Sequence, residues 1–260
     1  MYAYKSETPS LDFTYPLKSE SIREMEKHTK FDAGEEKSHF NIISANFDDI
    51  MATVGYPDPE LIATAAQKIA AEQMIARTEA EVADFGCGTG LVGQSMNNHG
   101  FKKITGIDCS EGMLEIAQDK QVYDSLIQHQ LGGEQYMENF PNHLKNKFDF
   151  VTAGGLIEAQ NFDEKVIQQM LFSLKKGGYM IFSAQYSYIG NFEYHETLLQ
   201  LEKAGRIQFI EDSTFNRFDK LDKMIGKYTK TPAKIYVYKK TEGDSLIIAK
   251  NGGLRAPHKG

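Results

Sequence analysis

The sequence predicts an α/β domain built on a mainly parallel sheet, and three observations carry that expectation. From residue 81 onward, short apolar runs alternate with longer amphipathic stretches. A glycine-rich bend, FGCGTGLVG, directly follows the first of those runs. The chain also has 260 residues, 41% of them hydrophobic, which is enough for one domain with a substantial core.

Taken in order, residues 1–40 are polar and charged with little periodicity, and read as an extended or partly helical arm. Pro57 and Pro59 stand at the head of ELIATAAQKIAAEQMIA, where Leu61, Ile62, Ala65, Ala66, Ile69 and Ala70 recur at helical spacing. Asp58 is the expected cap of this helix, with Pro59 at its first position. VADF, KITGI, SLIQHQL, FDFVTAG and YMIFSA read as strands, while GMLEIAQDKQVY and EKVIQQMLFSLKKGG read as helices between them. Strands alternating with helices imply right-handed crossovers and parallel pairing. After SAQYS the rhythm breaks. FEYHETLLQLEKAG reads as a helix ending at Gly205, and IQFIEDSTF and AKIYVYKK follow as two strands without a helix-length stripe between them. Such a pair is expected to close one sheet edge in antiparallel fashion. The resulting division is an arm over 1–40, a domain over 41–240 and a loose tail over 241–260, with no internal repeat.

Composition narrows the function. No apolar run approaches the roughly 18 residues of a membrane-spanning helix, and the N-terminal stretch lacks a leader pattern. The expectation is a soluble, cytoplasmic protein with no membrane span. Cys87 and Cys109 are too few for a disulfide scaffold and the histidines show no paired ligand spacing, so a reducing compartment and no metal are expected. The net charge of −7 is unevenly spread, since residues 220–260 carry 10 basic against 3 acidic side chains. An acidic body argues against a nucleic-acid partner, while the arm and the basic tail are candidate attachments for a protein partner.

The bend VADFGCGTGLVG can be parsed in two ways. Gly88, Gly90 and Gly93 fit G-x-G-x-x-G, with Asp108 twenty residues beyond Gly88, as a dinucleotide site would have it. That parse places Asp84 and Gly86 inside a strand buried on both faces, which is costly. Starting earlier, Asp84 with Gly86, Gly88 and Gly90 gives D-x-G-x-G-x-G, the loop of S-adenosylmethionine (SAM) binding. The strand then ends near Phe85, with Asp84 expected at the crevice facing the methionine ammonium. In KITGIDCSEGMLEIAQ, Asp108 is expected to accept both ribose hydroxyls, Ser110 to cap the next helix, and Met113 to face adenine.

Together these motifs resemble the class I SAM-dependent methyltransferases over roughly residues 40–240. DFGCGTG matches the first motif, GIDCSEGML the ribose and adenine motif, FDFVTAGGLIEA the motif after the fourth strand, and LKKGGYMIFSAQ the turn into the fifth. GTGLVGQ, the GFKKITGIDCSEGMLEIAQ block and NFEYHETLLQLEKAG are also similar to a methyltransferase-like branch. The resemblance implies a Rossmann-like, seven-stranded, mostly parallel sheet with helices on both faces and a reversed last strand. It also implies a cofactor, SAM. Asp84, Gly86, Cys87, Gly88 and Gly90 would surround its methionine part, Asp108 the ribose, and Cys109 and Met113 the adenine. Leu131 and Gly132 stand where the family often has an acid, which implies backbone contacts there. Ala153, Gly154 and Gly155 would form the floor near the methyl, and Tyr56 matches an aromatic position that covers the cofactor.

Methyl transfer from a sulfonium is an in-line displacement in which the protein aligns the partners and excludes water. FDFVTAGGLIEA lacks the Asn/Asp-Pro-Pro-aromatic pattern that grips amino nitrogens, so a small-molecule acceptor is expected. A base for a hydroxyl acceptor is sought in Glu158 or His195, with Tyr186 and Tyr188 as candidate pocket residues, and no catalytic residue is assigned. The alternatives are a binding or structural subunit with little or no turnover, and an NAD-dependent oxidoreductase resting on the other glycine parse.

Overall fold

The computed structural model describes residues 36–158, 163–185, 192–217, 220 and 231–241. Helices α1 (Glu36–Ile43) and α2 (Phe47–Val54) come first, joined by a short turn over Ser44–Asn46. Helix α3 (Asp58–Glu72) follows, then β1 (Glu81–Phe85), α4 (Leu91–Asn98), β2 (Lys103–Asp108), α5 (Glu111–Asp119) and β3 (Ser125–Gln128). The second half runs β4 (Phe148–Ala153), α6 (Lys165–Ser173), β5 (Leu174–Gln185), α7 (Phe192–Lys203), β6 (Ile207–Arg217) and β7 (Thr231–Lys240).

The seven strands form one sheet in the order β3-β2-β1-β4-β5-β7-β6. Strands β1 to β5 pair in parallel, and β7 is antiparallel to both β5 and β6. The chain builds outward from β1 to β3 and returns to begin again at β4, so the carboxyl ends of β1 and β4 flank the point where the direction reverses. Open sheets of this kind form their ligand crevice at that point.

Alternation along the strands sorts side chains onto two faces. Val82, Ile104, Phe150, Ile181 and Val237 pack with Ile62, Ala66 and Ile69 of α3 and Met96 of α4. Ala83, Ile107, Val151, Phe182 and Tyr236 pack on the other face with Ile167 and Met170 of α6 and Leu198 of α7. Every strand from β1 to β7 that contributes to both clusters is therefore covered on both sides, as the apolar runs required.

Two expected details are corrected. The stretch LKKGG is the beginning of β5 and not the end of a helix, because α6 stops at Ser173. At Gly178 a Cβ would lie 3.0 Å from the carbonyl oxygens of Phe148 and Asp149, so a glycine is what permits β5 to approach β4 there. Asp58 lies within the first turn of α3 and does not cap it; its carboxylate is turned inward and fully buried.

Candidate functional site

A cavity opens at the carboxyl edge of β1, β2 and β4. Gly86 and Gly88 of the bend form one side, Asp108, Cys109 and Met113 another, and Gly154, Gly155 and Leu156 the floor after β4. Phe40 of α1, Phe47 of α2 and Tyr56 in the turn between α2 and α3 close it from the N-terminal side, and Gln130, Leu131, Asp163 and Val166 complete the far end. The bend turns through three glycines with positive φ, Gly86 at 63°, Gly88 at 53° and Gly90 at 91°. A Cβ at Gly88 would meet only the Met113 sulfur, at 3.9 Å, so the backbone there borders open cavity.

Asp108 sits at the end of β2 with 9% of its surface exposed. Its Oδ2 accepts the Gly88 N–H at 2.8 Å and its Oδ1 the Ser110 N–H at 2.9 Å. Cys109 also hydrogen-bonds to this carboxylate, which stands on the cavity wall as an acceptor. Burial pushes the Asp108 pKa above the usual carboxylate value, and the Ser110 and Gly88 N–H groups oppose that rise. Ser110 caps α5 as expected, its hydroxyl oxygen accepting the Met113 N–H at 3.1 Å. The same hydroxyl donates to Asn41 Oδ1 at 2.6 Å, which also accepts the Gly112 N–H at 3.0 Å. Asp48 of α2 likewise accepts from the Thr89 hydroxyl in the bend and from Lys120 after α5. Helices α1 and α2 are thus fastened across the bend and helix α5 by polar contacts, and their aromatic side chains roof the cavity.

Asp84 is placed differently from its expected position. It is 1% exposed, lies beneath the bend, and does not line the cavity. Tyr123 donates its hydroxyl to Asp84 Oδ2 at 2.8 Å and Thr152 donates to Oδ1 at 3.1 Å. The reason is steric as well as polar. The Tyr123 ring occupies the space beside Gly90, Gly93 and Gly106, where added Cβ atoms would come within 2.9, 2.2 and 3.0 Å of it. Burial pushes the Asp84 pKa up to about 7, against the Tyr123 and Thr152 hydroxyls and the Gly93 N–H, which favour the ionised form.

The other expected residues divide. Gly86, Gly88, Asp108, Cys109, Met113 and Gly154 lie on the cavity wall, as do Leu131, Gly155 and Tyr56. Cys87 and Gly90 do not: Cys87 is buried against Gly106, its thiol pKa raised by burial, and Gly90 faces Tyr123. Gly132 is also off the wall; its N–H donates to the side-chain Oε1 of Gln169 at 2.9 Å, and the Gln169 Nε2 in turn donates to the Tyr136 backbone carbonyl. Ala153 is in the core. The side chains of Glu158 and His195, together with Tyr186 and Tyr188, lie outside the described residues. The alternation of the strands gave no sign of Phe40, Phe47, Tyr123 or Asp163.

At the floor a buried charged group appears that the motifs did not announce. The Arg217 guanidinium donates to both oxygens of Asp58, through Nε to Oδ1 at 2.9 Å and through a terminal nitrogen to Oδ2, with both side chains fully buried. It also donates to Ser183 Oγ at 3.2 Å, and that oxygen accepts the Gly155 N–H at 3.0 Å. The guanidinium carbon lies 5.6 Å from the centre of the Tyr56 ring. The Tyr56 hydroxyl rests on the floor, 2.5 Å from where a Gly155 Cβ would stand. Burial first, and the Asp58 charge second, raise the Tyr56 pKa far above the ordinary phenol range.

Among the described residues no helix is long and apolar enough to cross a membrane. The sequence family described as "methyltransferase domain" matches residues 58–218. Among curated proteins, the ubiquinone biosynthesis O-methyltransferase of Coxiella burnetii is 30% identical over 113 residues, covering 43% of this chain and 46% of the relative. Human methyltransferase-like protein 27 is 33% identical over 128 residues, 48% of this chain and 49% of the relative. The chain thus spans about half the length of the curated relatives it matches. The TehB-like SAM-dependent methyltransferase of Corynebacterium glutamicum superposes with a TM-score of 0.50 at 17% identity, over 78% of this chain and 99% of that one. A chain of the Haloferax volcanii complex that contains the Trm112 methyltransferase activator gives 0.52 at 16% identity, over 80% and 98%. At these identities the two structures share the fold.

Proposed function

This chain belongs to the family of methyltransferase domains, SAM-dependent enzymes of class I, and from that premise we propose that it methylates a small molecule whose reactive atom enters over the Gly154–Gly155 floor. The observation that carries the reading is the cavity at the ends of β1, β2 and β4, with Asp108 on its wall. The residues present suit an adenosyl group. Asp108 brings a carboxylate to the wall for the ribose hydroxyls, Gly88 leaves open space beside it, and Cys109, Met113 and Leu131 offer an apolar slot for adenine. Gly86, Gly154 and Gly155 border the methionine end.

When bound, SAM supplies a methyl group made electrophilic by its sulfonium sulfur. The protein's own part is alignment and exclusion of water. Phe40 and Phe47 roof the cavity, and Tyr56 closes the methyl end. The relatives named for ubiquinone biosynthesis O-methylation support a small acceptor bearing a hydroxyl.

The test is transfer of labelled methyl from SAM into a cell lysate fractionated into small molecules, protein, lipid and RNA. Label in the small-molecule fraction is expected. Label confined to protein or RNA would overturn the acceptor class, and the same experiment with folded Asp108→Ala protein controls for the site.

A further inference from the structure

We propose that Tyr123, which belongs to none of the sequence motifs, is the positioning residue of the cofactor site, and that through its hydroxyl it makes Asp84 the buried counter-charge that favours the sulfonium cofactor over its neutral thioether product. The proposal rests on SAM being the cofactor.

Its ring is the object around which the bend is shaped. Gly90, Gly93 and Gly106 come from the bend, from α4 and from β2, and each leaves room for the same phenol. A glycine-rich bend is commonly read as a backbone laid bare for a ligand. Here Gly88 faces the cavity, while the positions at 90 and 93 are small because a protein side chain fills the space. The ring thereby fixes where the Gly86–Gly88 backbone stands on the cavity wall. The hydroxyl then completes the arrangement from below. It donates to Asp84 at 2.8 Å, and Asp84 sits one residue before Phe85 at the end of β1, directly ahead of the bend.

SAM carries one more positive charge than S-adenosylhomocysteine (SAH), at the sulfur. A carboxylate sealed in protein behind the bend acts on that charge through a medium far less screening than water. Among the described residues the groups that act on Asp84 are the Tyr123 hydroxyl before β3, the Thr152 hydroxyl on β4, the Gly93 N–H on α4, the Cys87 thiol in the bend, the Tyr56 phenol ahead of α3 and the Asp108 carboxylate on β2. The first three favour the ionised form and Asp108 opposes it. Burial, opposed by the two hydroxyls and the Gly93 N–H, leaves the Asp84 pKa at about 7, so the two hydroxyls decide how much of the charge is present near neutrality. Tyr123 itself stays protonated, its pKa raised well above the usual phenol value chiefly by burial.

The experiment is calorimetric titration of the full chain with SAM and with SAH from about pH 5.5 to 8.5, read as the ratio of the two affinities. In the wild-type protein the preference for SAM rises by about tenfold as pH increases through the Asp84 range, on the scale of one charge acting across several ångströms of protein. Asp84→Asn holds the ratio at its low-pH value, and its residual slope measures what the ligands' own amino groups contribute. Tyr123→Phe keeps the ring but removes the donor, and moves the rise to higher pH by about one unit. Thr152→Val, which removes the other hydroxyl, moves it in the same direction. Adding Tyr123→Phe to Asp84→Asn changes the ratio no further, because the hydroxyl acts through the carboxylate. A purely structural Tyr123 would weaken both ligands equally and leave the midpoint where it was. That outcome, or an Asp84→Asn protein that keeps the wild-type slope, overturns the proposal. Failure of the folded wild-type protein to bind either ligand would instead remove the cofactor reading beneath it.

Discussion

The wall of the cavity beside Asp108, the proposed adenosine side, and the floor beside Gly155, the proposed methyl side, are built in contrasting ways. On the adenosine side, Asp108, Cys109, Ser110 and Met113 lie within six consecutive residues, and one strand end, one cap and one helix turn place them all. On the methyl side, Tyr56, Asp58, Gly155, Ser183 and Arg217 come from four separate segments of the chain, with the partners of the ion pair 159 positions apart. The first region is held by local backbone geometry and the second by tertiary packing around a buried charge. Damage to the first is expected to cost ligand affinity, and damage to the second to cost the fold.

The largest effect is therefore expected at Asp58. Asp58→Ala leaves the Arg217 guanidinium buried without its carboxylate, and loss of one partner of a buried pair costs about 3–5 kcal/mol. Denaturant unfolding of the two proteins measures it, and a loss below about 1 kcal/mol would show that the pair is not sealed as described.

Next comes Asp108→Ala, the corresponding break on the adenosine side. SAM affinity should fall at least tenfold, the scale of about 1.5–3 kcal/mol for hydrogen bonds to a charged group, while the unfolding midpoint moves less than for Asp58→Ala. Equal SAM affinity in a folded Asp108→Ala protein would take this residue out of the site.

Gly93→Ala sharpens the comparison from within the motif. If Gly93 were small for the sake of the ligand, the substitution would weaken binding and spare stability. With the Tyr123 phenol 2.2 Å from the new Cβ, the expectation is a stability loss of about 1–3 kcal/mol from overpacking. The smallest effect is expected for Ser110→Ala, about 1 kcal/mol of stability from a lost helix cap, together with the loss of its bond to Asn41. A change in thermal midpoint of a few degrees would register it.

The contrast also explains what the sequence made legible. The parallel sheet, the antiparallel pair at its edge, the bend and Asp108 all follow from patterns shorter than about twenty residues, where periodicity and backbone preference speak directly. Gly88 and Met113 were legible for the same reason. Asp84 was identified correctly as the strand-end carboxylate, but its surroundings were not, because the phenol that covers it arrives from 39 residues away. Arg217 ends an edge strand of mixed polarity, and nothing local distinguishes it from a solvated arginine. Asp58 looked like a cap because an acid beside a proline at a helix start usually is one. Only the fold brings the guanidinium to it.

The most direct test of the whole assignment is a crystal structure of the chain with SAH. The adenosyl group is expected in the cavity, with both ribose hydroxyls within hydrogen-bonding distance of Asp108, the sulfur over Gly154–Gly155 beside Tyr56, and Asp84 still joined to Tyr123 beneath the bend. Density for the ligand elsewhere, or a bend over residues 84–90 closed down upon β2 with no space for a nucleoside, would contradict the account.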